Sequence, residues 1–91
     1  MSKFDHIDGQ PDEDQILTWT EEFFFSLLNV LNAFFSNVDI KDAAERMSLI
    51  PFDQLVLEQL TDESDAIKAI ATTRVTELAE MEVSYLRAYS D

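Results

Sequence analysis

The sequence has 91 residues, 19 of them acidic and 6 basic, and its net charge of −13 disfavours direct binding to nucleic acid or to an anionic membrane surface. Its length fits one small domain, and because it contains no cysteine, neither disulfides nor a thiolate site can support that domain. One glycine and two prolines leave little material for hairpin turns or phosphate-binding loops, so the composition favours an all-α protein.

Residues 1–15 are predicted to form an acidic, flexible leader, and residues 16–91 a single helical domain. The leader contains the only glycine and five carboxylates, and it shows little apolar periodicity. Phe4 and Ile7 are side chains of the leader that could pack on the domain. The carboxylates lack the ligand alternation and the glycine position of an EF-hand loop, so no metal site is expected.

The first long helix is predicted over residues 18–37, because apolar residues recur there with helical rather than alternating spacing. The apolar face of this helix consists of Phe23, Phe24, Leu27, Leu28, Val30, Leu31, Phe34, Phe35 and Val38. Thr18 and Glu21 have the spacing of a capping box, which predicts that the helix begins near Thr18. We expect this face to supply much of the core and the other segments to cover it.

The opposite face of this helix is polar but nearly uncharged, although the chain as a whole is strongly acidic. Phe25 projects into this face, among Asn29, Asn32 and Ser36. Phe25 could pack beneath a neighbouring helix or the leader, since single exposed apolar residues are common. Alternatively, the neutral face could contact another subunit or another protein.

Two short helices are predicted next, at about 40–48 and 51–60. Asp39 is a suitable N-cap for the first, and Pro51 suits the first turn of the second, where its missing N–H is not needed. The spacing of apolar residues in this pair weakly resembles that of a helix-turn-helix motif. Its second helix carries no basic residue to contact phosphates, so we do not expect it to read DNA.

A second long helix is predicted over residues 61–89, with Thr61 or Ser64 as its N-cap. Its apolar stripe is interrupted by Arg74 and Glu82. Arg74 could lie at the margin of the stripe and extend into water. Alternatively, it could form an ion pair with Glu82 or with an acidic group of a facing helix or subunit.

Two tyrosines, Tyr85 and Tyr89, lie one turn apart near the end of this helix. Each combines an apolar ring with a polar hydroxyl group, so it can be half buried without leaving the hydroxyl unsatisfied. The two rings could therefore form a packing strip whose hydroxyl groups stay in water, or a platform that binds a partner. The sequence leaves both interpretations open.

The sequence carries little of the chemistry that catalysis requires. Its only histidine is His6, in the leader, and it contains neither cysteine nor the glycine pattern of a phosphate-binding or dinucleotide-binding loop. We therefore expect no enzymatic activity and no cofactor. The apolar run from Phe23 to Phe35 is shorter than the roughly 20 residues that cross a bilayer. The first residues also lack the order of a secretory signal, so a cytoplasmic protein is expected.

Together these elements predict an all-α protein, a small helical bundle. Its two long amphipathic helices, at about 18–37 and 61–89, are joined by two short helices at about 40–48 and 51–60. We expect the two long helices to pack roughly antiparallel. Two long amphipathic helices in so short a chain leave apolar surface uncovered, which predicts a homodimer.

The favoured function is a non-enzymatic protein-protein interaction module. It would act as an adaptor, an assembly factor or a small chaperone-like subunit whose apolar helix faces receive a partner helix. The alternative is an acidic inhibitor or decoy of the kind that phages and plasmids encode, which mimics nucleic acid and binds a basic protein surface. The candidate partner-binding residues are Phe25, Asn29, Asn32, Ser36, Arg74, Glu82, Tyr85 and Tyr89.

Overall fold

The computed structural model describes residues 6–7 and 10–90, with side chains from residue 12 to residue 89. It confirms an all-α, small helical bundle with two long and two short helices. The helices are α1 (Glu13–Phe34), α2 (Ile40–Ser48), α3 (Phe52–Gln59) and α4 (Asp65–Ser90). Ahead of α1, two strands that the sequence did not predict, β1 (His6–Ile7) and β2 (Gln10–Pro11), pair antiparallel. Much of the predicted leader, including Phe4, lies outside the described residues.

The start of α1 differs from the prediction. Asp12 is the N-cap, and its carboxylate accepts a hydrogen bond from the Gln15 backbone N–H at 3.3 Å. The first turn contains further carboxylates, which favour a helix N-terminus because they face the positive end of the helix dipole. Thr18 and Glu21 both lie inside α1, so the predicted capping box is wrong.

The other helix boundaries lie close to the predicted ones. Ser64, rather than Thr61, caps α4, because the Ser64 hydroxyl accepts a hydrogen bond from the Ile67 N–H at 3.4 Å. Asp39 precedes α2 as predicted, although its side chain forms no capping hydrogen bond. Pro51 is the N-cap of α3. Short polar or proline-containing segments therefore end each helix where the sequence places a helix-breaking signal.

The central element is α4, which packs against all three other helices. The buried apolar side chains of the described region are Ile16, Phe24, Ala43, Ala44, Met47, Phe52, Val56, Leu60, Ile67, Ala71, Val75, Leu78 and Val83. Thr20 is also fully buried, and its hydroxyl is satisfied because it donates a hydrogen bond to the Ile16 carbonyl at 2.7 Å. The core is therefore organised around α4 rather than around α1.

The expectation that the apolar face of α1 supplies much of the core is met only in part. The partly buried residues of this face that pack against the core are Phe23, Leu27, Leu28 and Leu31. The buried residues of α1 are Ile16, Thr20 and Phe24, so none lies beyond Phe24. Farther along, Val30 is 55% exposed and Phe34 is 74% exposed. The physical reason is that α2 and α3 pack mainly on α4, which leaves the second half of α1 covered from fewer sides.

The two long helices run parallel, not antiparallel as predicted. Leu17 and Glu21 line one cavity with α4 residues between 69 and 77. Farther along both helices, Phe25 lines the next cavity with α4 residues between 78 and 85. Residue numbers thus increase in the same direction on both sides of this contact.

Between the two long helices, α2 and α3 together carry the chain back along α4. Met47 and Phe52 line a cavity with α4 residues between 76 and 87, and α3 ends immediately before the turn that leads into α4. The 9 and 8 residues of the two short helices span about 26 Å at about 1.5 Å per residue, which is about two thirds of the length of α4. The bundle is therefore an up-down-up arrangement in which the middle segment is broken near Pro51.

Adjacent phenylalanines in α1 allow a matched test of this core. The Phe24 side chain is 2% exposed and its ring lies edge to face on the Phe52 ring, with centroids 5.3 Å apart. We expect Phe24→Ala to lower the free energy of unfolding by about 3–5 kcal/mol, because it leaves a cavity. Phe25→Ala should cost about 1 kcal/mol or less, since more than half of that side chain already lies in water. Urea unfolding followed by circular dichroism measures both values, and equal losses would contradict the assigned core.

Candidate interaction surface

The large apolar side chains that remain exposed are not spread evenly over the molecule. In the described region they are Phe25, Val30, Phe34, Ile40, Leu49, Met81, Tyr85 and Tyr89. They lie in α1 from residue 25 onward, in or just after α2, and in α4 from residue 81 onward. Because α1 and α4 are parallel, both helices bring these side chains toward the same end of the bundle. At one end of the bundle, the closed end, the apolar side chains are buried in the core. At the other, the open end, apolar side chains are exposed.

A cavity of about 240 Å³ lies where α1 and α4 meet at this open end. We call it the seam cleft, and its lining residues are Phe24, Phe25, Leu78, Met81, Glu82 and Tyr85. Phe24 and Leu78 are buried and form its floor, whereas Phe25, Met81 and Tyr85 are 55%, 62% and 56% exposed. Its volume is below the roughly 300–1,000 Å³ of typical small-molecule sites, so its size suits an inserted side chain.

Three of the residues predicted to bind a partner meet in the seam cleft. Phe25 comes from α1, and Glu82 and Tyr85 come from α4. Asn29 and Asn32 follow Phe25 at spacings of one and two helical turns, so they extend the same side of α1, and both are exposed. Ser36 lies just beyond the end of α1, is also exposed, and donates a hydrogen bond from its hydroxyl to the Ala33 carbonyl at 3.2 Å.

The two tyrosines form a pair at the exposed end of α4. Their ring centroids are 4.8 Å apart with an interplanar angle of 52°. A hydrogen bond with Tyr89 is the main cause that raises the pKa of Tyr85 above its ordinary value of 10.0. Negative charge on Tyr89, partial burial and the Glu82 carboxylate raise this pKa further. The Tyr85 hydroxyl is therefore held in its neutral form beside a carboxylate.

Arg74 lies on the same seam but outside the cleft. Its guanidinium nitrogens lie 3.7 Å from Glu21 Oε2 on α1 and 3.8 Å from Glu77 Oε1 on α4. Of the two partners proposed from the sequence, the acidic group of a facing helix is therefore present, and Glu82 is not the partner. Both distances are long and the groups are about one third exposed or more, so these ion pairs contribute little to stability.

Glu21 carries one unusual feature at this contact. Its Oε2 atom is buried and forms no hydrogen bond with the described residues. The Arg74 guanidinium lies 3.7 Å from this atom. A buried carboxylate oxygen without a hydrogen bond is costly. Arg74 therefore acts within the chain, where it compensates Glu21, and is a weaker candidate for partner binding than the cleft residues.

Sequence reasoning missed part of the surface. It placed Val30, Phe34 and Met81 on apolar faces that should be buried, whereas all three are exposed. The signal that could have identified Met81 is its spacing, since Met81, Tyr85 and Tyr89 recur every four residues along one side of α4. Exposure of Val30 and Phe34 could not be read from spacing, because it depends on where α2 and α3 pack.

A metal centre and a membrane-spanning helix are two other features that could indicate a function. No group of three or more potential metal ligands occurs among the described residues. None of the helices in the described part of the chain has both the length and the apolar character needed to cross a membrane. Comparison of the sequence and the structure with protein-family models, curated proteins and solved structures gives no match. The exposed surface is therefore the feature of this chain that indicates a function.

The tyrosine pair gives a test of the cleft geometry. The chain contains two tyrosines, so Tyr89→Phe leaves Tyr85 as the only group that titrates as a phenol. We expect the pKa of Tyr85 to fall toward 10.0 in this variant, because the hydrogen bond that favours the neutral phenol is lost. Alkaline titration followed by near-ultraviolet absorbance measures it. Adding Glu82→Gln should lower the pKa slightly more, and an unchanged pKa in both variants would contradict the pairing.

Proposed function

We propose that this chain is a non-enzymatic protein-protein interaction module, an adaptor, assembly factor or small chaperone-like subunit, whose seam cleft receives an apolar side chain of a partner. The observation that carries the proposal is the exposure of Phe25, Met81 and Tyr85 around one cavity with a buried apolar floor. Apolar side chains that remain clustered at the surface commonly mark interaction sites. Aromatic residues and methionine are also enriched at the centres of such sites.

The shape of the surface suits a helix as the partner element. Two parallel helices form the walls, and their exposed residues recur with each turn: Phe25, Asn29 and Asn32 on α1, and Tyr85 and Tyr89 on α4. A third helix laid along this seam would present a side chain about every 5.4 Å, which is the spacing of these turns. Recognition of an amphipathic helix by an apolar groove uses this geometry.

The residues of the cleft support binding rather than catalysis. Its polar groups are the Glu82 carboxylate and the Tyr85 hydroxyl, and the raised pKa of Tyr85 makes that hydroxyl a poorer acid and not a better nucleophile. Absence of cysteine from the sequence is consistent with action in a reducing compartment, and we place the module in the cytoplasm.

A direct test compares three forms of the chain as bait in its native host. We expect the wild-type chain to retain a partner, identified by mass spectrometry, at both about 0.05 M and about 0.5 M salt, because apolar contacts are not screened. Phe25→Ser should lose that partner at both salt concentrations while it remains folded by circular dichroism. Leu49→Ser, which changes an exposed leucine between α2 and α3, is the matched control and should retain the partner.

The same experiment separates the alternative function, an acidic decoy that mimics nucleic acid. The net charge of −13 favours this alternative, because it would attract any strongly basic protein. A partner bound through charge alone should be lost at about 0.5 M salt from the wild-type chain and should bind Phe25→Ser as well as it binds the wild type. That result would show that the acidic decoy, and not the interaction module, is the function of the chain.

We also propose that the chain forms a homodimer, through the uncharged half of α1. Residues 23–38 contain no charged side chain, and Val30 and Phe34 are exposed within this stretch. Two copies that each carry a net charge of −13 repel one another, and the repulsion is smallest where uncharged surfaces meet. A twofold dimer through this stretch would bury the same side chains of both copies.

Sedimentation velocity tests the proposed homodimer. We expect the wild-type chain to show a concentration-dependent shift toward the dimer, and Phe34→Ser to weaken association at least tenfold because it removes the most exposed ring of α1. Leu49→Ser again serves as the control, since Leu49 is highly exposed but lies outside the uncharged stretch. A wild-type chain that stays monomeric at every concentration would exclude the dimer and leave the seam cleft unaffected.

A further inference from the structure

The seam cleft has one acidic wall and one neutral wall. On the α4 side, Glu82 lines the cleft itself, and Glu77 and Glu80 line a shallow depression that shares Met81 and Tyr85 with the cleft. On the α1 side, the stretch 23–38 carries no charge. An occupant of the cleft therefore meets negative charge along one edge and neutral side chains along the other.

In the part of the chain that the structure describes, ion pairs compensate only some of the negative charge of the α4 wall. Arg74 lies 3.8 Å from Glu77, but among the described residues no ion pair involves Glu80 or Glu82. Glu80 is exposed and Glu82 is partly exposed, so both can be reached by a partner. The negative charge of Glu82 also acts on groups inside the cleft, because it contributes to the raised pKa of Tyr85.

We propose that the occupant of the seam cleft is a cationic amphipathic helix of a partner protein. One apolar side chain of that helix enters between Phe25, Met81 and Tyr85, and Lys or Arg side chains flanking it face Glu80 and Glu82. This inference rests on the proposed interaction function and adds the chemistry of the partner. The exposed tyrosine rings stabilise the same cations, since a positive charge is attracted to an aromatic face.

Charge complementarity selects this occupant over a second copy of the chain. A second copy would bring a net charge of −13 to a wall that already carries uncompensated carboxylates. Like charges placed across an interface oppose association, whereas complementary charges increase the association rate and fix the orientation of the partner. The homodimer proposed above uses the neutral stretch of α1 and leaves the acidic wall free.

Three synthetic helical peptides with the same leucine-rich apolar face provide the probes. Their flanking positions carry lysine in the first, glutamine in the second and glutamate in the third. We expect the lysine peptide to bind the full chain at least tenfold more tightly than the glutamine peptide, and the glutamate peptide not to bind measurably. Isothermal titration calorimetry gives the affinities. Amide chemical shifts should change most around Phe25, Met81 and Tyr85.

Two double variants that remove the same number of charges test the position of the cations. Glu80→Gln with Glu82→Gln removes carboxylates beside the cleft, and Glu58→Gln with Asp62→Asn removes exposed carboxylates near the closed end. The first should weaken the lysine peptide about tenfold, as expected for the loss of two partly exposed charge pairs. The second should change its affinity less than twofold. Equal effects of the two variants would show that only total charge matters and would overturn the inference.

The outcomes separate this inference from the proposed function. If the lysine and glutamine peptides bind with equal affinity and Phe25→Ser abolishes both, the cleft is an apolar site, and the cationic partner is wrong while the function stands. If the lysine peptide binds Phe25→Ser as tightly as the wild type, binding is through charge alone, and both proposals fail. If no peptide shifts the cleft residues, both proposals fail as well.

Discussion

The packing of α4 against the other three helices is the interaction on which the rest of the structure depends. Its buried side chains include small and branched residues, of which Ala71 and Val75 are fully buried. The part of α1 from Ile16 to Phe24 supplies the buried residues with which α1 packs on α4. Without α4 the other three helices would lose most of their packing contacts, since they pack mainly on α4 rather than on one another.

The parallel direction of α1 and α4 explains why the apolar surface collects at one end. Both long helices begin beside the closed end, where Leu60 and Ile67 are buried, and both end where the core has thinned. Two helix C-termini at the same end also place two negative dipole ends together; Arg87 lies in the last turn of α4, whereas α1 has no basic residue in its last turn. The open end therefore combines exposed apolar side chains with carboxylates of α4 and the negative dipole end of α1, which is the pattern that the proposed cationic helix would complement.

Much of the fold could be predicted from the sequence, because helix periodicity and capping residues act locally. Asp39, Pro51 and Ser64 mark helix starts that the structure places within a few residues of the prediction. Helix direction could not be predicted, since it depends on whether α2 and α3 act as a loop or as a return segment. The site could be predicted only in part. Phe25 interrupts the polar face of α1 and is therefore visible in the sequence, whereas Met81 matches an apolar stripe and is distinguished only by its four-residue spacing from Tyr85.

The distribution of charge along α1 and α4 allows one small chain to make two different contacts. The neutral stretch 23–38 minimises repulsion between copies, and the carboxylates of α4 repel a second copy but attract a cation. Added salt screens both effects, so it favours association between copies and weakens association with a cationic helix. The two contacts also use different sides of α1, because Val30 and Phe34 lie about 140° and about 180° around the helix from Phe25, which lines the seam cleft. A dimer formed through α1 would therefore keep both clefts open, and each dimer could hold two partner helices.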